Sequence, residues 1–138
     1  MKRVLLALAL VAGIAPAVLP ARAFARTMND LAPADRYFGQ LQMSILGVRN
    51  ALHDLKLRID THPSESAQVY DKALLVEDSL RDWSQKFPND PWIPKFVYSL
   101  AELYRTIDTA DARVRKNDTL DWLVTSYPAS DYAKMGRI

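Results

Sequence analysis

His53 and His62 are the only imidazoles in the chain, and there is no cysteine. Imidazole is the side chain most readily used as a metal ligand or a general base near neutral pH, so their spacing decides what they can do. Nine residues along a helix is half a turn beyond two full turns. The two rings then face opposite sides and cannot share a metal ion. His62 precedes Pro63 at an expected helix end, where an imidazole meets the negative end of the helix dipole. His53 stands beside Leu52 with no motif around it. Without cysteine there is no disulfide framework, no thiolate zinc or iron–sulfur site and no covalent haem attachment. The chain also has no G-x-S-x-G elbow, no H-E-x-x-H pair and no Gly-rich phosphate loop. The carboxylates of Glu77-Asp78 read as an exposed face, and Asp108/Asp111 as a helix cap. The expectation is a protein that is not an enzyme and carries neither cofactor nor metal.

What remains is side chains suited to holding a partner. The aromatics near expected inter-helix turns are Trp92, Tyr98, Trp122 and Tyr132. Trp122 falls off the Leu120–Leu123–Tyr127 line and is expected to face solvent. Arg113, Arg115 and Lys116 form a short basic run within a helix, suited to an acidic patch on a partner. These seven residues are the candidate partner-binding set.

The charge of the whole chain misleads until its first segment is read. Lys2 and Arg3 precede an uncharged apolar run over 4–15, which at 12 residues is too short to cross a hydrocarbon core of about 30 Å. Pro16 and Pro20 follow, then Ala23-Phe24-Ala25, with small residues where a signal peptidase reads. Residues 1–25 are expected to be a cleaved signal peptide, with cleavage after Ala25 or Ala23, and the mature protein to be periplasmic. The 138-residue chain carries a formal net charge of +2, but residues 26–138 hold 15 basic and 16 acidic side chains, a net of −1. A nucleic-acid partner is therefore not expected. With no cysteine, a lipid anchor is not expected either.

Apolar spacing gives the elements that must position the candidates. Phe38, Leu41, Ile45, Val48, Leu52, Leu55 and Ile59 alternate steps of three and four, predicting a first helix of about seven turns with Gly39 and Gly47 inside it. The two glycines suggest close helix–helix approach. Val69, Ala73, Val76, Leu80, Trp83 and Phe87 predict a second helix, capped by Ser64 and stopped by Pro88. Asn89-Asp90 offers the next cap, and Phe96, Val97, Leu100, Leu103, Tyr104 and Ile107 carry a third helix. Thr109 or Asp111 opens a fourth, with Val114, Leu120, Leu123, Val124 and Tyr127. Ser130 caps a short fifth over 131–136. Connections of a few residues between such helices impose antiparallel neighbours. The predicted fold is all-α, one domain over 26–138, with antiparallel helical hairpins stacked as a short array of about four helices plus a short C-terminal one.

Two of these helix ends repeat. Leu80 through Phe87-Pro88-Asn89-Asp90-Pro91-Trp92 aligns with Leu120 through Tyr127-Pro128-Ala129-Ser130-Asp131-Tyr132 at an offset of 40 residues. A weaker copy ends the first helix at His62-Pro63. In each, proline stops the helix and a later residue docks the next one. Tyr127-Pro128-Ala129-Ser130-Asp131-Tyr132-Ala133 resembles the Y-P-x-S-x-Y-A stretch of tetratricopeptide-like repeats, above all those of the outer-membrane assembly lipoprotein BamD and related envelope tetratricopeptide proteins. The offset exceeds the usual period of about 34 residues. The resemblance implies a scaffold in the envelope that binds a protein or peptide. Two other functions fit a small exported helical protein: a four-helix bundle binding a small ligand or serving a stress response, and an immunity or inhibitor protein against an envelope toxin.

Overall fold

A computed structural model describes residues 30–137. The expected signal peptide lies outside the described residues. Five α-helices follow in order: α1 Ile45–Thr61, α2 Ser66–Lys86, α3 Ile93–Thr106, α4 Ala110–Ser126 and α5 Asp131–Gly136, with a 3-10 turn Pro63–Glu65 leading into α2. The fold is all-α, and the described residues contain no strand, only an isolated bridge between Phe38 and Met43.

The helix ends are set by local chemistry. Ser44, Thr109 and Ser130 each turn a side-chain oxygen back onto a backbone N–H three residues on, at Gly47, Ala112 and Ala133. Each satisfies a donor that the first turn leaves unpaired. Ser64 does not play this part. It lies inside the 3-10 turn, and α2 starts at Ser66 without a side-chain cap.

Three helix terminations share one backbone geometry. His62, Phe87 and Tyr127 have (φ, ψ) of (−134°, 72°), (−136°, 64°) and (−131°, 50°). Each N–H still closes the last helical turn, onto Arg58, Trp83 and Leu123. Each carbonyl then accepts from the N–H three residues later, at Glu65, Asp90 and Ser130, all at 3.0 Å. The cause is the proline that follows each one. It drives the preceding residue out of the α region and sets its own φ for the second position of a β-turn.

The first helix begins later than apolar spacing suggests. Phe38 and Leu41 continue the three-four pattern by coincidence. Residues 38–43 instead form a loop closed by reciprocal Phe38–Met43 backbone hydrogen bonds of 2.9 and 2.8 Å. Gly39 sits at φ +67°, and a Cβ there would lie 2.5 Å from Ser79 Oγ and 2.7 Å from Ser79 Cα. The Gly39 and Gln40 N–H groups donate to Asp82 and Asp78 of α2. The close approach expected at the glycines is real at Gly39, though it joins a loop to a helix. Gly47 meets only Ser44 and Met43 of its own cap. The loop swings Phe38 into the core, where it stacks on Trp83 with ring centroids 5.6 Å apart, while Leu41 stays exposed.

Packing makes α3 the central element. Helices α1, α2 and α3 contact one another, as do α3, α4 and α5. Eight of the 14 residues of α3 are buried, against Ala112, Thr119 and Leu123 alone in α4. A helix shared by two groups needs apolar residues around most of its circumference. Val114, expected on the apolar stripe of α4, is exposed. Trp83, Tyr104 and Phe38 fill the interior.

Candidate functional site

The odd-numbered helices lie side by side, α1 against α3 and α3 against α5. Two adjoining clefts run along the seam between α1 and α3. One, of about 350 Å³, is lined by Arg49, His53 and Lys56 of α1 and by Lys95, Tyr98 and Glu102 of α3, over a floor of Leu52, Phe96 and Leu103. The other, of about 280 Å³, continues past Arg49 and Phe96 to Leu46, Trp92 and the chain at Ala32 and Ala34. Trp92 is 51% exposed, stacks on Phe96 with centroids 6.5 Å apart, and carries the Lys95 ammonium 5.5 Å from its ring. Tyr98 packs on Tyr132 of α5 at 5.9 Å. Three of the four candidate aromatics, Trp92, Tyr98 and Tyr132, thus stand along α3 and its contact with α5.

Trp92 is presented by an acidic turn beneath it. Asp90 is buried and accepts from Trp83 Nε1 (3.1 Å), from the Ala32 N–H (2.9 Å) and, through its other oxygen, from the Trp92 N–H (3.0 Å). The Asp90 side chain therefore ties the incoming chain, α2 and the start of α3 together. This contact onto the N–H two residues on is the Asx-turn for which aspartate is favoured.

The remaining candidates lie on α4. Trp122 is half-buried, with the Arg81 guanidinium 4.4 Å above its ring. Arg113 pairs with Asp108 at 3.1 Å. Arg115 reaches the Glu77 carboxylate at 3.5 Å, and the Tyr70 hydroxyl and that carboxylate together raise its already high pKa. Lys116 is half-exposed on the same helix.

Glu77 corrects the reading of Glu77-Asp78 as an exposed face. It is buried, accepts from the Tyr104 hydroxyl at 2.8 Å, and pairs with Arg81 at 2.7 Å. Burial, and then the Glu77 charge beside it, push the Tyr104 phenol well above its ordinary range. The cluster of Tyr70, Glu77, Arg81, Tyr104 and Arg115 joins α2, α3 and α4. Its sequence signal is weak, because Arg81 lies four residues after Glu77 but Tyr104 and Arg115 come from other helices.

Against family models, curated proteins and solved structures, the chain has no match. Among the described residues no three His, Cys, Asp or Glu side chains gather as a metal site would need. His53 lines the cleft, whereas His62 closes α1 with its ring 2.8 Å from the Thr61 hydroxyl. A third cleft, between α1 and α2, is larger at about 460 Å³. It mixes Asp54 with Arg58 and Lys72, and Arg58 is already held by Glu65. No aromatic side chain lines it.

Proposed function

We propose that this protein is an exported helical-repeat adaptor of the cell envelope, which holds a protein or peptide partner along the face made by α1, α3 and α5. Its design is similar to that of BamD-like tetratricopeptide proteins, without a lipid tether. The proposal draws on the signal-peptide pattern of residues 1–25 and on the pre-proline turn used three times. Contacts of α1 with α3 and of α3 with α5 support it, since hairpins laid next to one another would make such contacts. The observation that carries the reading is the gathering of Trp92, Tyr98 and Tyr132 along this one face. Large amphipathic rings supply contact area at little entropic cost. An interior occupied by Trp83, Tyr104 and Phe38 favours a surface binder over a bundle that encloses a small ligand. Among the described residues no helix is long and apolar enough to cross a membrane.

Site-specific photo-cross-linking in intact cells tests this. A benzoylphenylalanine in place of Trp92 is expected to give a discrete adduct in the envelope fraction, and one in place of the exposed Thr125 is expected to give none. Equal adducts at both positions, or none at either, would overturn the proposal.

A further inference from the structure

We propose that the groove between α1 and α3 is built for an acidic segment of a partner, one that carries carboxylates on either side of an apolar or aromatic residue. The inference rests on the adaptor reading and specifies the chemistry of its partner.

The charge pattern points this way. Residues 30–137 hold 14 basic and 16 acidic side chains, a net of −2. The lining of the 350 Å³ cleft runs against that balance, with Arg49, Lys56 and Lys95 opposed by Glu102 alone. Glu102 is engaged by Arg105, and Lys56 by Asp60. Arg49 and Lys95 are different. Arg49 reaches only the neutral amide oxygen of its neighbour Asn50, at 3.3 Å, and Lys95 lies over the Trp92 ring. Neither meets a carboxylate among the described residues, although these are rich in carboxylates. They stand on opposite banks of the groove, one on α1 and one on α3. Between them the floor is apolar, made by Leu52, Phe96 and Leu103.

Two exposed cations across a low-dielectric floor favour an anion more than the same charges on a convex surface do, because the walls exclude water and focus the field. The floor has no polar group to offer and asks for an apolar side chain. Arginine adds a planar fork that matches a carboxylate in bidentate fashion. The length of the site sets the length of its occupant. From Trp92 to Glu102 is ten residues of helix, or about 15 Å. An extended chain covers about 3.3 Å per residue, so four to five residues fill it. The rival basic site is the run Arg113, Arg115 and Lys116. There Arg113 and Arg115 are already paired with Asp108 and Glu77, which leaves less positive charge free for a partner.

The test is fluorescence anisotropy of the purified protein with labelled pentapeptides. Glu-Asp-Leu-Phe-Glu is the probe, Lys-Lys-Leu-Phe-Lys and Glu-Asp-Ser-Ser-Glu are the comparisons, and vesicles of phosphatidylglycerol offer a lipid anion. The acidic aromatic peptide is expected to bind saturably. Its binding should weaken about tenfold in Arg49→Glu/Lys95→Glu and less than twofold in Lys116→Glu, with unchanged circular dichroism in both. Raising the salt from 50 to 500 mM should weaken it too, since screening shortens the reach of exposed charges. Equal affinity for the lysine or the serine peptide, loss in Lys116→Glu instead, binding to vesicles alone, or no binding of any peptide would each overturn the proposal. A Trp92 cross-link that persists through such a failure would leave the adaptor standing with a partner of other chemistry.

Discussion

Glu77 is a buried carboxylate whose cations are only half covered. The carboxylate side chain is 4% exposed, and the Arg81 and Arg115 side chains are 41% and 42% exposed. Removing Glu77 therefore frees two arginines that can turn into water. Removing the arginines leaves a charge that cannot escape. Breaking a buried pair from the side that strands the buried charge costs about 3–5 kcal/mol. Urea denaturation of Arg81→Met/Arg115→Met should show a larger loss than Glu77→Met, and Tyr104→Phe should lose about 1–2 kcal/mol, the usual cost of leaving such a group one bond short. Equal losses from the two ends of the cluster would refute this asymmetry. Asp82 ties stability to pH. The Lys86 ammonium and the Gly39 N–H hold its carboxyl below the ordinary value. A depressed folded pKa means stabilisation that is complete above about pH 4 and lost as pH falls through the folded value. Wild type should lose more of its urea midpoint between pH 7 and pH 3 than Asp82→Asn does. A parallel loss in both would mean that the Gly39 loop is held by something else.

At the scale of elements, what can be read from the sequence depends on how far away the deciding atoms are. The caps at Thr109 (one of two candidates there, with Asp111) and Ser130 follow from residues within three positions of each other, and the hydroxyl side chains themselves mark them. The stops at Pro63, Pro88 and Pro128 are equally local, since a proline acts on the residue before it. Ser64 is a poorer guide because Pro63 opens a 3-10 turn that holds Ser64 inside it, one residue before the Glu65 that precedes α2. The start of α1 is not local. Phe38 and Leu41 fit a helical stripe, and only the partners on α2, Asp78, Ser79 and Asp82, hold the segment in a loop. Those contacts lie about 40 residues away and leave no periodicity. Glu77 is illegible on the same account, because its burial is decided by α3 and α4. The groove was half legible. Trp92, Tyr98 and Tyr132 could be singled out as aromatics near turns, but Arg49, His53 and Lys95 look like ordinary solvent-facing charges until α1 and α3 are placed side by side.

At the scale of the molecule, α3 belongs to two packing groups, while the main contacts of α5 are with α3 and α4. An arrangement in which each element meets only its neighbours transmits a local perturbation a short way, whereas a globular core shares it throughout. Tyr132 sits where the two descriptions diverge. Its ring packs on Tyr98, and α5 is a single short helix that approaches α4 closely through Gly136, where a Cβ would lie 3.2 Å from Leu120 Cδ2. Tyr132→Ala removes the aromatic contact between α5 and α3, so α5 loses much of what docks it. Hydrogen exchange under native conditions should then speed up in α5 and in the last turns of α4, with α1 and α2 unchanged. Leu100→Ala, at the fully buried centre of α3, should instead lower protection in every helix, with a loss of about 2–5 kcal/mol for such a truncation. If Tyr132→Ala accelerated exchange equally in α1 and α2, the five helices would form one indivisible core. The face along α1, α3 and α5 would then act as a single rigid surface, and a partner seated between α1 and α3 would be felt at Tyr132.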